Sequence, residues 1–577
     1  ARAVYAGGMD RQSPRTTSDV IDLYIRTYYS LLRSTGDVRV RAFEESHLYS
    51  NSSLHSGALE AAPDVAAFAY SAARLPACMP RVRRVVLGQS MQQFEIAGLS
   101  VREWETVTAR GRRRAMRFDG HSTLAVFVTS VSDIDDLVPI VTAYQLEWNK
   151  MHEQLRAADL EALLDAEAVG AELVARSVGV DEGGARTLIS GLGGDWIGAL
   201  SAIAGEVLDL NVRLLDGSFN QYQRSASRWW GEIAPIYAKS RPKRPVYFVS
   251  SNTHSLVNLI GGYAHHHRER IIEFAKERDP EGLASVLEDA VARGNAAAVS
   301  NLLYYLLRTY LHETQTSPEE RRRLSKAYDE ESGITSAESP GRIDVNAQVF
   351  ELSKFRPERM DRRVQVPGIE LLSQSDAVIV NIDYPLGMAA YHHLTQMVQG
   401  TGKVLGVYVM GKAATLNGRV GDVMISQTIY DEHSKNTYLF RNAFAADDVA
   451  PYMSYGTVLD NQKAVTVRSA YLQNRDYMSL FYDEGYTVME MEAGPYLSAV
   501  FELVDPRRHP NDEIVHMSNR VPFDVGIIHY ASDTPYSRRQ SLLSKSMSFF
   551  GVDSTYASTI AITRRIFQSE IARLSHP

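Results

Sequence analysis

Residues 402–426 read GKVLGVYVMGKAATLNGRVGDVMIS. An apolar, β-branched run from Val404 reaches Gly411, and a small-residue loop continues through Lys412, Ala413, Ala414 and Thr415. Gly421-Asp422-Val423 then opens a second apolar run, VMIS. Runs this continuously apolar predict strands buried on both faces, the kind found where helices cover a sheet.

Three other segments follow a related order: a short apolar run, a small-residue turn, then a long helical pattern. They are LAVFVTSVSDIDDLVPIVTAYQLEWNKM (124–151), PVYFVSSNTHSLVNLIGGYAHHHRERIIEFAKE (245–277) and DAVIVNIDYPLGMAAYHHLTQMVQ (376–399). Strand followed by helix, repeated, points to α/β architecture. Residues 19–33 place Val20, Ile21, Tyr24, Ile25, Tyr28, Leu31 and Leu32 on one helical face. The stretches 151–240 and 278–330 read as helical. The sequence GITSAESPGR (333–342), small and polar with Pro and Gly, marks the expected boundary. The reading is therefore an N-terminal, largely helical α/β domain over 1–332, of unassigned role, and a C-terminal mixed sheet flanked by helices over 343–577.

The chain has 577 residues, 45% apolar and 23% charged, which suits packed interiors and more than one core. Its net charge of −8 argues against a general binder of nucleic acid or anionic membranes. The runs Arg112–Arg114 and Arg321–Arg323 read as solvated surface. Cys78 is the single cysteine, so no intrachain disulfide is possible. Residues 1–20 read as a polar leader without a signal pattern, and no apolar run is long enough to span a bilayer. The expected compartment is the cytoplasm. His265–His267 are consecutive on a helical pattern and cannot easily share one metal, so no metal or cofactor is expected.

Four C-terminal features occur in a fixed order. They are AVIVNID (377–383) running into YPLGMAAYHHL, the 402–426 strand–loop–strand, TVMEMEAGPYLSAV (487–500), and VGIIHYASDTP (525–535). A strand, turn and helix N-terminus can hold an anion or a ribose. A carboxylate such as Glu492 can accept two bonds from a vicinal diol. Taken together, the four resemble the nucleoside phosphorylase/nucleosidase superfamily, and within it most closely the AMP nucleosidases, which also carry an N-terminal domain.

That resemblance implies roles. Met491 would pack on the ribose and Glu492 would accept bonds from its 2′ and 3′ hydroxyls, with Glu490 as a nearby second carboxylate. Asp533, supported by Ser532, would protonate or hydrogen-bond purine N7 as the glycosidic bond breaks. The backbone of 411–415 would approach the substrate. It also implies a purine nucleoside or nucleotide as ligand, and a homo-oligomer, dimer or hexamer. Two departures stand out. The family has adjacent glycines where Ala414 and Thr415 stand, and side chains there would narrow or redirect the pocket. No arginine accompanies VYVMG to hold free phosphate, which favours hydrolysis over phosphorolysis. Lys412 could bind a 5′-phosphate or project into solvent, and Arg441 is a further candidate for a phosphate. The expected activity is N-glycosidic hydrolysis of a purine nucleotide or nucleoside. The alternative is a catalytically altered relative acting as a nucleotide-binding sensor or an assembly scaffold.

Overall fold

The structure, a computed structural model, describes residues 19–34, 36–112, 114–156, 170–239, 241–313, 318–339, 343–534 and 549–575. The polar leader falls outside them. The described chain is mixed α/β, built on two sheets.

The smaller sheet has strands β1 (Val38–Arg39), β2 (Arg84–Gly88), β3 (Glu105–Val107), β4 (Met116–Phe118), β5 (Thr123–Phe127) and β6 (Asn211–Leu214). Their order is β1-β6-β2-β5-β4-β3, with β2 parallel to both β5 and β6. Helices α1 (Asp19–Leu32), α2 (Val65–Ala73) and α3 (Val131–Leu155) contribute to the core beside it. On α1, Ile21, Tyr24, Ile25, Tyr28 and Leu32 of the expected face are buried, while Leu31 is half-buried and Val20 exposed at its margin. Strand β6 lies within the stretch expected to be helical. Its four residues, NVRL, are too few for their period to register.

The larger sheet has eleven strands. These are β7 (Val246–Ser250), β8 (Ile334–Ala337), β9 (Ala347–Glu351), β10 (Val378–Ile382), β11 (Val404–Thr415), β12 (Val423–Asp431), β13 (Thr437–Leu439), β14 (Val458–Thr466), β15 (Tyr486–Glu490), β16 (Ile514–His516) and β17 (Asp524–Asp533). Helices α4 (Ala389–Gly400), α5 (Ala493–Val504) and α6 (Phe549–Ser575) join its cores. In β7, Val246 and Phe248 enter one core while Tyr247 and Val249 enter the other. A strand buried on both sides needs no polar alternation, hence the continuous apolar runs.

The sheets do not divide at 333–342. Residues 334–337 form β8, antiparallel to β9, and β7 pairs in parallel with both β10 and β11. The change of sheet falls between β6 and β7, after residue 214 and before 246. Gly333 leads into this edge strand and Ser336 lies within it, a use that composition does not distinguish from a linker.

Strand β11 also ends differently from expectation. Residues 411–415 continue the strand instead of forming a loop, with a register shift at Ala413/Ala414. Pairings β11–β17, β17–β12, β12–β14, β14–β15 and β15–β11 run in a closed ring.

The two sheet units meet through the segment after β14. Asp135, fully buried on α3, accepts from Tyr28 (2.5 Å) and Tyr29 (2.9 Å), and lies 3.2 Å from Nε of Arg468. Tyr471 enters the N-terminal core, its hydroxyl donating to the Ala67 carbonyl at 2.8 Å. Backbone bonds Ser53 N to Gln473 O (2.7 Å) and Arg475 N to Asn51 O (3.0 Å) complete the seam. Removing one partner of a buried ion pair strands the other charge in a medium that solvates it poorly. Arg468→Met should therefore destabilise the protein by about 3–5 kcal/mol, read as a lower urea midpoint. The double variant with Asp135→Asn should recover part of that loss, and additive losses would show that the pair is not coupled.

Candidate functional site

Strand pairing at the end of β11 sets the geometry. Ala414 is the register partner of Met489 on β15 and of Asp533 on β17. Neighbouring strands lie about 4.8 Å apart, so Met489 and Asp533 sit roughly 10 Å from each other. Glu490 ends β15, and Glu492 stands at the N-cap of α5. Met491, Glu492, Ser532 and Asp533 all line one cavity of about 1740 Å³. Gly411, Lys412, Ala413 and Ala414 line it too.

The carboxylates play different parts. Glu490 is buried and turned into the fold. Its Oε2 accepts from the backbone N–H of Glu492 and of Ala493, each at 2.7 Å, and its Oε1 accepts from Thr466. It thereby satisfies the first donors of α5, which have no partner within the helix. Burial and the nearby Glu492 charge push its pKa up to about 8. Glu490 thus caps the start of α5 while it also lines the cavity.

Glu492 is less committed. Its Oε1 accepts only a long bond from Gly387 N, at 3.3 Å. Burial raises its pKa to about 7, against the opposing pull of that donor and of the Arg112 charge. Asp533 accepts from the Ser532 hydroxyl at 3.1 Å. Burial raises its pKa as well, while Ser532, Arg74 and Lys412 pull it down. Burial thus holds both carboxyls above their ordinary range and favours the protonated form of each.

The N-terminal unit forms the opposite wall. Tyr70, Arg74, Arg112, Arg114 and Asp133 line the same cavity. The two units are pinned at the turn before α4. Gly387 has φ +51°, and a β-carbon there would lie 2.3 Å from the Ser132 Oγ of α3. The same Ser132 hydroxyl accepts from Met388 N at 2.9 Å, one residue from the donor to Glu492. Only glycine fits this contact.

Several expected positions need correction. Thr415 is buried and faces away: its Oγ1 accepts from Gly418 N at 2.9 Å, and it does not line the cavity. Arg441 is exposed and lines a separate pocket with Asn442, Asp524 and Arg565. The arginine run is not a solvated surface where it is described. Arg114 is 6% exposed and binds Asp133 (3.1 Å) and Asp136 (2.9 Å), and Arg112 lies 3.2 Å from Asp136. Arg113 and the side chains of Arg321 and Arg322 lie outside the description, and Arg323 is exposed. Among the described residues no group of His, Cys, Asp and Glu could hold a metal, and no single helix is long and apolar enough to cross a membrane.

Compared with known proteins, residues 40–568 match a family model described as "Family of unknown function (DUF6909)". No curated protein matches the chain. Among solved structures, a putative methylthioadenosine nucleosidase from Weissella paramesenteroides aligns at 12% identity. That alignment covers 41% of this chain and 89% of the other, with a TM-score of 0.27. An S-adenosylhomocysteine nucleosidase from Streptococcus pyogenes aligns at 9% identity over 41% and 87%, with a TM-score of 0.27. A methylthioadenosine phosphorylase from an Antarctic soil metagenomic library aligns at 7% over 33% and 70%, with a TM-score of 0.25.

The raised carboxyls make stability depend on pH. A folded-state pKa above the unfolded value of about 4.3 means that stability is full below that value and is lost as pH rises through the folded one. For Glu492 the window closes near pH 7, and for Glu490 near pH 8. Glu492→Gln removes one titration. The loss of stability between pH 5 and pH 8.5 should be smaller in that variant by about 1–3 kcal/mol, measured by urea unfolding at both pH values. Equal losses in both proteins would show that Glu492 titrates at its ordinary value.

Proposed function

For this chain, which belongs to the DUF6909 family of unknown function, we propose a purine nucleoside or nucleotide N-glycosidase that hydrolyses the base–ribose bond, in the manner of AMP nucleosidase. The observation that carries the reading is that Glu492 and Asp533 line one cavity, each raised above its usual pKa. The order of the four sequence features, ending in MEMEAG and SDTP, supports the same assignment.

A purine leaves poorly as an anion. Asp533, whose protonated form burial favours, gives its proton to N7 as the C1′–N9 electron pair moves onto the base. The sugar then carries developing positive charge, and Glu492 stabilises it through bonds to the 2′ and 3′ hydroxyls that strengthen as that charge grows. Met491 forms the apolar seat beneath the ribose. Water adds at C1′ and loses its proton to solvent, which reaches the open cavity.

Ala414 favours a second reading. It lines the cavity where the resemblance implies glycine, so a sensor that binds a purine nucleotide without cleaving it is the alternative.

Asp533→Asn keeps the volume and a hydrogen bond but has no proton to deliver. With purine nucleosides and nucleotides as substrates and chromatography for free base, it should lose at least ~100-fold in kcat with little change in affinity. The wild-type rate should fall as pH rises past the raised pKa of Asp533, because only the protonated form acts. Glu492→Gln should lose both affinity and rate. Equal base release by wild type and Asp533→Asn would remove Asp533 as the acid. Binding with no release from any substrate would establish the sensor.

A further inference from the structure

The wall contributed by the N-terminal unit carries more positive charge than its own contacts use. Arg74 is 8% exposed and Arg114 6% exposed. A guanidinium cannot deprotonate, so its burial demands acceptors for its N–H groups. Arg114 directs Nε to Asp133 and Nη2 to Asp136, but its Nη1 is buried with no acceptor among the described residues. The Nε of Arg112 lies 3.2 Å from Asp136 without making a hydrogen bond, and it too is buried and open. Arg74 donates Nη1 to the Tyr70 carbonyl at 3.1 Å and lies 3.3 Å from the centre of the Tyr70 ring. Its Nε has no acceptor among the described residues, and no ion pair involves it there.

Charge bookkeeping sharpens the point. Asp133 and Asp136 answer Arg112 and Arg114, two carboxylates for two cations. Among the described residues Arg74 and Lys412 form no ion pair, although the charge of Arg74 also acts on Asp136. Their charges act on Asp533, and that of Arg112 acts on Glu492. A buried donor without an acceptor costs about 1–3 kcal/mol, and more when charged. Three of them on one cavity wall are therefore better explained by a ligand than by the packing.

We propose that Arg74, Arg112 and Lys412, with Nη1 of Arg114, form a subsite for a phosphate dianion next to Glu492 and Asp533. The N-terminal unit then completes the active site, and the ligand is a phosphorylated nucleoside, or a nucleoside together with free phosphate. Guanidinium forks match phosphate oxygens in geometry as well as charge. The placement of the arginines stands without the glycosidase reading; the nucleoside part of the ligand rests on it.

Isothermal titration with AMP, adenosine, IMP, inosine and inorganic phosphate, repeated in the Asp533→Asn background where turnover is suppressed, reads the subsite, and product analysis of the wild type reads the source of the phosphate. Wild type should bind AMP or IMP about ten- to a hundredfold more tightly than its nucleoside, or bind inorganic phosphate directly. That gain should vanish in Arg74→Met and shrink in Lys412→Met, while Arg441→Met, in its separate pocket, retains it. Arg74→Lys keeps a cation if Arg74→Met does not fold, and should retain part of the gain. Base and ribose 5-phosphate as products, with free phosphate competing, place the substrate's own ester in the subsite. Stimulation of nucleoside cleavage by phosphate, with ribose 1-phosphate formed, places the attacking anion there. Phosphate-dependent binding without release of any base supports the subsite and sinks the glycosidase reading. Equal binding of nucleotide and nucleoside with no binding of inorganic phosphate overturns the proposal. So does a gain that survives intact in folded Arg74→Met and Lys412→Met.

Discussion

Strand β11 is the member on which the rest depends. Along its first half it hydrogen-bonds in parallel to β7 on one side and to β17 on the other. At Ala414 and Thr415 the side given up by β7 passes to β15, running antiparallel. One strand therefore joins the open part of the sheet to a closed ring of five. Backbone hydrogen bonds allow little slippage, because a shift of one residue turns every side chain to the other face. The spacing between the MEMEAG turn and the SDTP strand end follows directly. Met489, Glu490 and Asp533 occupy positions set by a ladder, and Glu492 follows two residues beyond the end of β15.

On that frame, burial and charge act in opposition. Desolvation raises Glu490, Glu492 and Asp533, while Arg112, Arg74 and Lys412 oppose it for the last two. The balance leaves each of the three above its ordinary range. Glu490 resolves its own burial differently, by accepting the first backbone donors of α5. That is a structural duty that frees Glu492 from capping. The wall facing them comes from a different sheet, fastened by the buried Asp135–Arg468 pair and by the contact of Gly387 with Ser132. A site divided in this way is sensitive to the seam between units, since a small shift of α3 moves both the turn that donates to Glu492 and the arginines beside it.

Much of the fold was present in local pattern. The β-branched runs at 246–250, 378–382 and 404–410 are strands, and the long patterns that follow the runs at 124 and 378 are helices, because side-chain period and β-branching act over a few residues. What failed was whatever needed partners far away in sequence. Residues 411–415 look like a loop by composition, yet they find strand partners in β15 and β17, so they extend β11. The polar segment at 334–337 looks like a linker, yet it pairs with β9.

The sequence by itself determined the α/β class, the order of the strand-ending motifs, and the two acidic residues that stand at those ends. Those features depend on residue type and on neighbours a few positions away. Tertiary structure alone decided that Thr415 turns toward Gly418, that Arg441 lines another pocket, and that Arg74, Arg112 and Arg114 face the carboxylates across the cavity. An arginine reads the same in sequence whether it is solvated or buried. Its meaning here comes from which acceptors the fold brings to it and which it withholds, and for Arg74, more than three hundred residues before Asp533, only the packing of one sheet unit against the other sets that.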